Sequence, residues 1–186
     1  MFIPQEFKLH VVFVCTGNIC RSPTAERLAV AQAERLGIAD FTASSAGTHA
    51  AIGHSVHPDA AAVLTELGGD PAGFAARQLT PRIATDADLI LTMTRAHRDA
   101  VLEIAPSKLR RTFTLSEASR LISEKNARAI ADLATLRAHL DHSELIDIPD
   151  PIGRGAEVFA EVGAQIAALM PPILELFQAS YGAAND

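Results

Sequence analysis

One short segment near the amino terminus constrains the fold of this chain more than any other. Residues 11–14 are consecutive apolar residues, mostly β-branched, and such a run is typical of a short buried strand. The run stops at Cys15, and Thr-Gly-Asn then supplies the residues of a tight loop. Ser22 and Pro23 favour a helix start, with the serine hydroxyl as N-cap and the proline at the first helical position. A strand, a tight loop and a helix are therefore predicted in direct succession.

This succession predicts an anion-binding site. Successive backbone N–H groups in a loop before a helix converge on one point, and the helix dipole adds partial positive charge there. Arg21, six residues after Cys15, can hold two oxygens of a phosphate at once. Because Cys15 lies where a thiolate is favoured, the segment predicts a phosphate site with a nucleophile at its base. The alternative is a buried free thiol at the end of a core strand, which explains neither the arginine nor the loop.

The composition is that of a single domain without an obvious polyanionic partner. The chain has 186 residues, enough to bury a sizeable core, and shows no repeat or linker. Its formal net charge of −6 argues against nucleic acid or an acidic membrane surface as the main partner, since both favour basic faces. The amino-terminal residues resemble neither a signal peptide nor a membrane span, so we expect a cytoplasmic protein.

The cysteines and histidines do not predict a metal site. Cys15 and Cys20 lie in one loop. Two cysteines so close together do not form the disulfide framework of a secreted fold, and they are too few to bind a structural zinc. His49, His54 and His57 are close in sequence, but no carboxylate or cysteine stands at ligand spacing, so we expect solvated loop histidines. We therefore expect neither a metal nor a cofactor.

Strands and helices are predicted to alternate along the rest of the chain. Apolar runs and helical spacing predict further strands at 41–45, 88–93 and 112–115, and helices at 22–36, 59–67, 95–104, 116–140 and 159–177. The 116–140 helix is predicted to break near Asn126, and the last helix to kink rather than end at Pro171-Pro172. This order predicts an α/β domain with a parallel sheet covered on both faces. Ligands in such sheets bind beyond the carboxyl ends of the strands, where the Cys15 loop lies.

Several sequence blocks together resemble a known family. Residues 14–26 read Val-Cys-Thr-Gly-Asn-Ile-Cys-Arg-Ser-Pro-Thr-Ala-Glu, and further blocks follow at 45–48 (Ser-Ala-Gly-Thr), 76–79 (Ala-Arg-Gln-Leu), 87–90 (Ala-Asp-Leu-Ile) and 148–151 (Ile-Pro-Asp-Pro). This pattern resembles the low-molecular-weight protein tyrosine phosphatases over residues 9–180, with tails at 1–8 and 181–186. The resemblance implies a four-stranded parallel sheet flanked by helices, with a phosphate-binding loop after the first strand. It also implies metal-independent hydrolysis of a phosphomonoester through a cysteinyl-phosphate intermediate.

The resemblance assigns three catalytic residues. Cys15 is the expected nucleophile, and Arg21 is expected to bind the phosphate and follow its oxygens through the transition state. Asp150 is the expected acid that protonates the leaving oxygen and the base that then activates water. Asp147 competes with Asp150 on spacing alone, and the resemblance selects Asp150 because it directly precedes Pro151.

Other loop residues are expected to bind the phosphate or support the loop. The expected phosphate-binding residues are Thr16, Gly17, Asn18, Ile19, Cys20 and Ser22. Asn18 is expected to adopt a left-handed conformation, and the resemblance implies that its amide contacts Ser22 and Ser45. Cys20 is either a redox partner that forms a reversible disulfide with Cys15 or a small apolar filler.

The chain departs from the family pattern around the loop. Members that prefer phosphotyrosine carry aromatics where this chain has Ala51, Ile152 and Gly153, and each missing stacking partner is worth roughly 0.5–1.5 kcal/mol. Phe74 replaces the histidine common before Ala-Arg-Gln, so a buried hydrogen bond supporting the loop is expected to be absent. Bacterial phosphoarginine phosphatases of the family tend to carry threonine at the position of Ile19, and the apolar side chain favours an aryl or alkyl group over a guanidinium.

The predicted function is hydrolysis of a phosphorylated protein or small phosphomonoester, with protein phosphotyrosine as the leading substrate. A phosphoarginine or small-molecule aryl phosphatase is one alternative. An arsenate reductase is another, but it would need further cysteines for its thiol relay and none follows Cys20. A phosphate- or phosphoprotein-binding module without turnover is the third, against which the presence of Cys15, Arg21 and Asp150 argues. The sequence does not predict the oligomeric state.

Overall fold

The structure of the chain is a computed structural model that describes the backbone of residues 9–182. It describes the side chains of these residues except 142 and 180–182. The predicted N-terminal tail at 1–8 lies outside the described residues, as do residues 183–186 of the predicted C-terminal tail.

A parallel sheet forms the centre of the fold. Its strands are β1 (Leu9–Cys15), β2 (Phe41–Gly47), β3 (Leu89–Thr92) and β4 (Thr112–Thr114). They lie in the order β2-β1-β3-β4, and each neighbouring pair is parallel. The predicted strands and the four-stranded parallel sheet are confirmed. Because β1 lies between two other strands, its last residue, Cys15, ends in the middle of the carboxyl edge rather than at the side of the sheet.

Helices cover both faces of the sheet, as predicted. They are α1 (Arg21–Leu36), α2 (Pro58–Glu66), α3 (Pro81–Asp86), α4 (Arg95–Ile104), α5 (Leu115–Ser123), α6 (Ile130–Leu136) and α7 (Ala156–Gly182). Alternate residues of β1 serve the two faces: Val11 and Phe13 pack in the larger core with α1, α5 and α7, whereas Val12 and Val14 pack with α3 and α4. All four side chains are fully buried, which is why this strand is a continuous apolar run.

The start of α1 differs from the prediction. Cys20, and not Ser22, is the N-cap residue, and no side chain caps the helix in the described part of the chain. The Ser22 hydroxyl instead lies beside Cys15, so this serine serves the loop rather than the helix end. The other end is as predicted, because Gly37 adopts the left-handed conformation (φ 64°) that terminates the helix.

Two other segments show where local patterns succeed and fail. The predicted break in the 116–140 segment is confirmed, since α5 and α6 are separate helices and Asn126 between them has a φ of 60°. The short helix α3 was not predicted. Thr80 caps it and Pro81 occupies its first turn, but six residues are too few to show a helical period.

The last helix, α7, continues through Pro171 and Pro172. By length and composition alone its Ala156–Ala179 part could cross a membrane, with a mean hydropathy of 1.3. Its apolar side chains, however, include Ile166 and Phe177, which are buried in the main core. The helix is apolar because it packs on the sheet and its neighbouring helices.

Candidate active site

The loop between β1 and α1 is held from outside by the segment that follows β2. The carbonyl oxygens of four loop residues accept backbone N–H groups at 2.7–3.0 Å: Cys15 from Thr48, Thr16 from His49, Gly17 from Ala51, and Ile19 from His57. These bonds turn the carbonyl oxygens of the loop away from its centre.

The N–H groups of the same loop are left without acceptors in the described part of the protein. Within the part of the chain that the structure describes, the N–H groups of residues 16–20 donate no hydrogen bond. The amino terminus of α1 adds its own unpaired N–H groups and the positive end of its dipole. Because backbone N–H groups require acceptors, the loop is a cradle suited to an anion.

Asn18 fixes the shape of the loop from within. It is fully buried, and its φ of 56° confirms the predicted left-handed conformation. Its Nδ2 donates to Ser22 Oγ at 2.9 Å and to Ser45 Oγ at 2.8 Å, while its Oδ1 accepts the backbone N–H of Arg77 at 2.9 Å. Since Arg77 supplies a donor, the orientation of the amide is determined, and both serine oxygens act as acceptors toward it.

The two serine hydroxyl groups consequently direct their hydrogens elsewhere. Ser45 donates to Glu26 Oε2 at 2.6 Å. Ser22 Oγ lies 2.9 Å from Cys15 Sγ, and its hydrogen is free to donate to the sulfur. Such a donor stabilises the thiolate of Cys15, a side chain that is only 2% exposed at the floor of the cradle.

Arg21 links the loop to the segment that carries the predicted acid. Its Nη1 donates to the carbonyl oxygen of Ile148 at 3.0 Å, and its Nη2 donates to Asp150 Oδ2 at 2.9 Å. Its Nε is buried without a hydrogen-bond partner among the described residues. Nε and the second Nη2 hydrogen lie on the same edge of the guanidinium, so this edge can donate two parallel bonds to a phosphate.

The structure distinguishes the two aspartates that compete on spacing. Asp150 Oδ2 accepts from Arg21, and its Oδ1 accepts the N–H of Ile152 at 3.1 Å, yet the side chain remains 48% exposed. Asp147 instead accepts the N–H of Arg95, the first residue of α4, at 3.0 Å. Asp150 therefore lies beside Arg21 with its carboxylate half exposed, whereas Asp147 is bound to the start of α4.

Three residues around the loop were not predicted to support it. Glu26 accepts from Ser45, and burial raises the pKa of its carboxyl. Arg77 donates from Nε to the Ser45 carbonyl oxygen at 2.8 Å in addition to its bond with Asn18. His97 is 7% exposed and contacts Thr16. Each acts through contacts between distant segments. Glu26 and Arg77 stand in sequence blocks that carry the family resemblance, whereas His97 stands in none of them.

The surroundings of the loop are apolar but not aromatic at the three expected positions. Ala51 contributes its N–H to Gly17, and the next residue, Ile52, is 70% exposed. Ile152 is 48% exposed and Gly153 has a φ of 76°. The ring of Phe74 lies under the guanidinium of Arg27, with 5.7 Å between the Arg27 Cζ and the centre of the ring.

The second cysteine of the loop differs chemically from the first. Cys20 is buried in a small apolar cluster with Val56 and Phe159. Burial, and after it the neighbouring Cys15, raises the pKa of Cys20 to about 12. Its thiol is therefore protonated at neutral pH. Its role as a redox partner of Cys15 stays a prediction. Within the described residues, no group of three or more histidine, cysteine or carboxylate side chains could hold a metal ion.

Comparison with known proteins identifies the family of the chain. The family model described as low molecular weight phosphotyrosine protein phosphatase matches residues 10–119. The low molecular weight protein-tyrosine-phosphatase Wzb of Escherichia coli (strain K12) is 33% identical over 153 residues, which cover 82% of this chain and 84% of Wzb.

Solved structures extend the similarity to the whole fold. A low molecular weight protein tyrosine phosphatase from T. tengcongensis has a TM-score of 0.72 at 30% identity, covering 90% of this chain and 98% of its own. The YwlE arginine phosphatase from Geobacillus stearothermophilus has a TM-score of 0.72 at 30% identity, covering 92% and 94%. The fold and the cysteine loop define a cysteine-based phosphatase, a phosphoric monoester hydrolase. The chain belongs to the low molecular weight phosphotyrosine protein phosphatase family.

Proposed function

We propose that this enzyme is a protein-tyrosine-phosphatase that works through a cysteinyl-phosphate on Cys15, with Arg21 binding the phosphate and Asp150 as general acid and base. The observation that carries the proposal is the hydrogen bond between Arg21 Nη2 and Asp150 Oδ2 at 2.9 Å, which holds a carboxyl group at the mouth of the cysteine loop. We further propose that the catalytic domain spans residues 9–180.

In the first step the Cys15 thiolate attacks phosphorus. An S–P bond forms while the bond from phosphorus to the ester oxygen breaks, and Asp150 gives its proton to the departing oxygen. The N–H groups of residues 16–20 and the free edge of Arg21 bind the equatorial oxygens, whose charge is redistributed in the transition state.

In the second step water releases the phosphate. The Asp150 carboxylate takes a proton from water as the water oxygen attacks phosphorus, and the S–P bond breaks. The electron pair returns to Cys15, where the Ser22 hydroxyl at 2.9 Å donates to the sulfur. The enzyme then holds inorganic phosphate and a protonated Asp150, which is the state needed for the next turnover.

Apolar side chains beside the loop support an aryl substrate. Ile52 and Ile152 are exposed near the loop, and Ile19 is half-buried within it. These side chains can cover a phenyl ring but offer no hydrogen-bond acceptor to a guanidinium. Relatives such as Wzb are named as tyrosine phosphatases. We propose a phosphorylated protein in the cytoplasm as the partner, in keeping with two free thiols in the described structure.

Phosphoarginine is the second candidate substrate. The observation that favours it is the similarity in structure to YwlE arginine phosphatases, with TM-scores of 0.74 and 0.72. The same cradle would bind the phosphoryl group of a phosphoarginine, so the side chains beside the loop decide between the two substrates.

A substrate panel on wild type and Cys15→Ser tests the proposal. The panel comprises a phosphotyrosine peptide, a phosphoarginine peptide, nitrophenyl phosphate and an alkyl phosphate. We expect the largest kcat/KM for the phosphotyrosine peptide and loss of hydrolysis in Cys15→Ser, which should still bind inorganic phosphate because the cradle remains. Hydrolysis at the wild-type rate by Cys15→Ser would refute the mechanism, and preference for the phosphoarginine peptide would select the second substrate.

A further inference from the structure

The first turn of α4 contacts both halves of the proposed site. On one side, His97 Nε2 lies 2.8 Å from Oγ1 of Thr16, the residue after the nucleophile. On the other side, Asp147 Oδ1 accepts the N–H of Arg95 at 3.0 Å and lies 3.5 Å from its Nε. One helical turn thus joins the cysteine loop to the segment that carries Asp150.

The hydrogen positions on the cysteine side follow from Thr94. Its Oγ1 accepts the backbone N–H of His97 at 3.2 Å and lies 2.9 Å from His97 Nδ1. If the Thr94 hydroxyl donates to Nδ1, every group of this turn is satisfied, and Nε2 carries the hydrogen. Burial, and then the positive charge of Arg21, lower the pKa of His97 to about 4, so the ring is neutral at physiological pH. With this tautomer Nε2–H donates to Thr16, and with either tautomer the contact between His97 and Thr16 is kept.

Hydrogen bonds hold three of the four residues of segment 147–150, which carries the proposed acid. Asp147 is bound to the start of α4, and the N–H of Ile148 donates to the carbonyl oxygen of Met93 at 2.9 Å. Asp150 is bound to Arg21. Because the side chain of Asp150 is half exposed, its position depends on the anchoring of the residues before it.

We propose that His97 and Asp147 are positioning residues, which use the first turn of α4 to set the cysteine loop and the acid at the correct separation. His97 acts through Thr16 on the phosphate cradle, and Asp147 acts through the backbone of residues 147–150 on the acid. The inference rests on the proposed roles of Cys15 and Asp150. Since the two contacts serve different parts of the reaction, their loss has different kinetic signatures.

Loss of the His97 contact is expected to weaken phosphate binding irrespective of the leaving group. For His97→Phe we expect the inhibition constant of inorganic phosphate and the KM of nitrophenyl phosphate and phenyl phosphate to rise about tenfold, as for one lost hydrogen bond. His97→Gln, which places an amide N–H near the position of Nε2, should recover most of the loss. The double variant His97→Phe/Thr16→Val should be no worse than His97→Phe, because both remove one contact.

Loss of the Asp147 contact is expected to depend on the leaving group. For Asp147→Ala we expect kcat/KM to fall about tenfold for phenyl phosphate, whose poor leaving group needs the acid, and much less for nitrophenyl phosphate. Inorganic phosphate should bind as in wild type. Asp147→Asn keeps an oxygen that accepts the Arg95 N–H and should restore the wild-type ratio.

Two matched variants separate positioning from stability. The first, His10→Gln, alters a half-buried histidine at the amino end of β1, whose Nε2 lies 2.7 Å from Ser44 Oγ. The second, Asp132→Ala, removes a carboxylate that accepts two backbone N–H groups just before α6. Both should lower the melting temperature without changing phosphate affinity or the leaving-group ratio. If His97→Phe and Asp147→Ala behave like these controls, the inference is wrong. If Cys15→Ser remains active, the proposed function itself fails.

Discussion

Arg21 and Asp150 are 129 positions apart in the chain, yet the guanidinium donates to the carboxylate at 2.9 Å. The arginine is 4% exposed and belongs to α1, whereas the aspartate lies on an exposed loop before α7. The buried guanidinium of Arg21 therefore fixes the half-exposed side chain of Asp150 beside the cysteine loop. In the proposed reaction this pair sets where the leaving oxygen receives its proton, and it leaves the Nε edge of the guanidinium for the phosphate.

Replacing Arg21 by lysine should impair catalysis strongly. An ammonium group cannot bond to Ile148, Asp150 and a phosphate in the planar arrangement of the guanidinium. We expect Arg21→Lys to lose about 10³-fold in kcat/KM for nitrophenyl phosphate. Arg82→Lys, at a side chain that is 91% exposed, is the control and should be unaffected. A loss of less than tenfold in Arg21→Lys would contradict the proposed role.

Replacing Asp150 by asparagine should make the reaction sensitive to the leaving group. The amide cannot give a proton to the departing oxygen, so kcat/KM should fall about 10²-fold or more for phenyl phosphate and less for nitrophenyl phosphate. Measuring both substrates gives the ratio directly. Asp86→Asn, on an exposed side chain of α3, provides the comparison. Equal losses on the two substrates would remove Asp150 from the acid role.

Asn18 allows the backbone and side-chain contributions to the loop to be separated. Asn18→Gly keeps the left-handed backbone but loses three hydrogen bonds, and we expect the free energy of unfolding to fall by about 2–4 kcal/mol. Asn18→Ala should lose about 1 kcal/mol more, because alanine is strained at a positive φ. Urea titration measures both values. Equal stability of the two variants would show that the loop relaxes to another backbone conformation.

The stability of the protein should fall in acid partly through His97. The pKa of this histidine is about 4 in the folded state, against 6.5 for the unperturbed side chain. Between these pH values the unfolded chain binds more protons than the folded one, so the free energy of unfolding decreases as the pH falls through this range. The contribution approaches about 3 kcal/mol once the pH has fallen through the folded pKa.

The variant His97→Gln isolates this contribution. It retains the other titrating groups, including Glu26, whose raised pKa gives a dependence of opposite sign. Urea titrations of both proteins between about pH 7 and about pH 5 should show a shallower loss of stability in the variant. Parallel curves would mean that His97 titrates normally in the folded protein.

Gly47 is predicted to be essential for the shape of the cradle. A Cβ at this position would collide with the carbonyl oxygen of Thr16 and press on Ala50, so the loop or the segment after β2 must shift. We expect Gly47→Ala to lose about 10²-fold in kcat/KM, as for a displacement of about 1 Å. Gly37→Ala is strained by its positive φ but has open space, and should cost about 1 kcal/mol of stability without loss of activity. The reverse pattern would exclude a role of Gly47 in the site.

The elements with local signals could be predicted from the sequence. The apolar run before Cys15, the glycine after α1 and the order of strands and helices follow from neighbouring residues alone, and the structure has them. The cysteine loop could be predicted because Cys15, Arg21 and the residues between them lie in one continuous segment of the sequence. Two features could not be predicted in this way. The helix α3 is too short to show a helical period, and Ser22 contacts Cys15 instead of capping α1.

The supporting residues of the site depend on contacts that no local pattern reveals. Glu26 contacts Ser45, Arg77 contacts Asn18 and Ser45, and His97 contacts Thr16. These contacts form only because the sheet places the segments of the three residues beside the loop or its support. The different contacts of Asp147 and Asp150 could not be predicted for the same reason. Both lie on one loop, and only the tertiary structure shows that Asp150 contacts Arg21 and that Asp147 contacts the start of α4. The sequence therefore predicts candidate reacting groups more readily than the residues that contact and orient them.

The way in which the segment after β2 holds the cysteine loop has an evolutionary consequence. Its four bonds to the loop carbonyls use main-chain N–H groups, which every amino acid except proline supplies. The side chains of Ala51 and Ile52 are therefore free to diverge while the catalytic loop keeps its shape. An enzyme built in this way can change its substrate by exchanging wall residues while the cysteine loop keeps its shape. Solved enzymes named for tyrosine and for arginine phosphates both resemble this fold, each with a TM-score of 0.72.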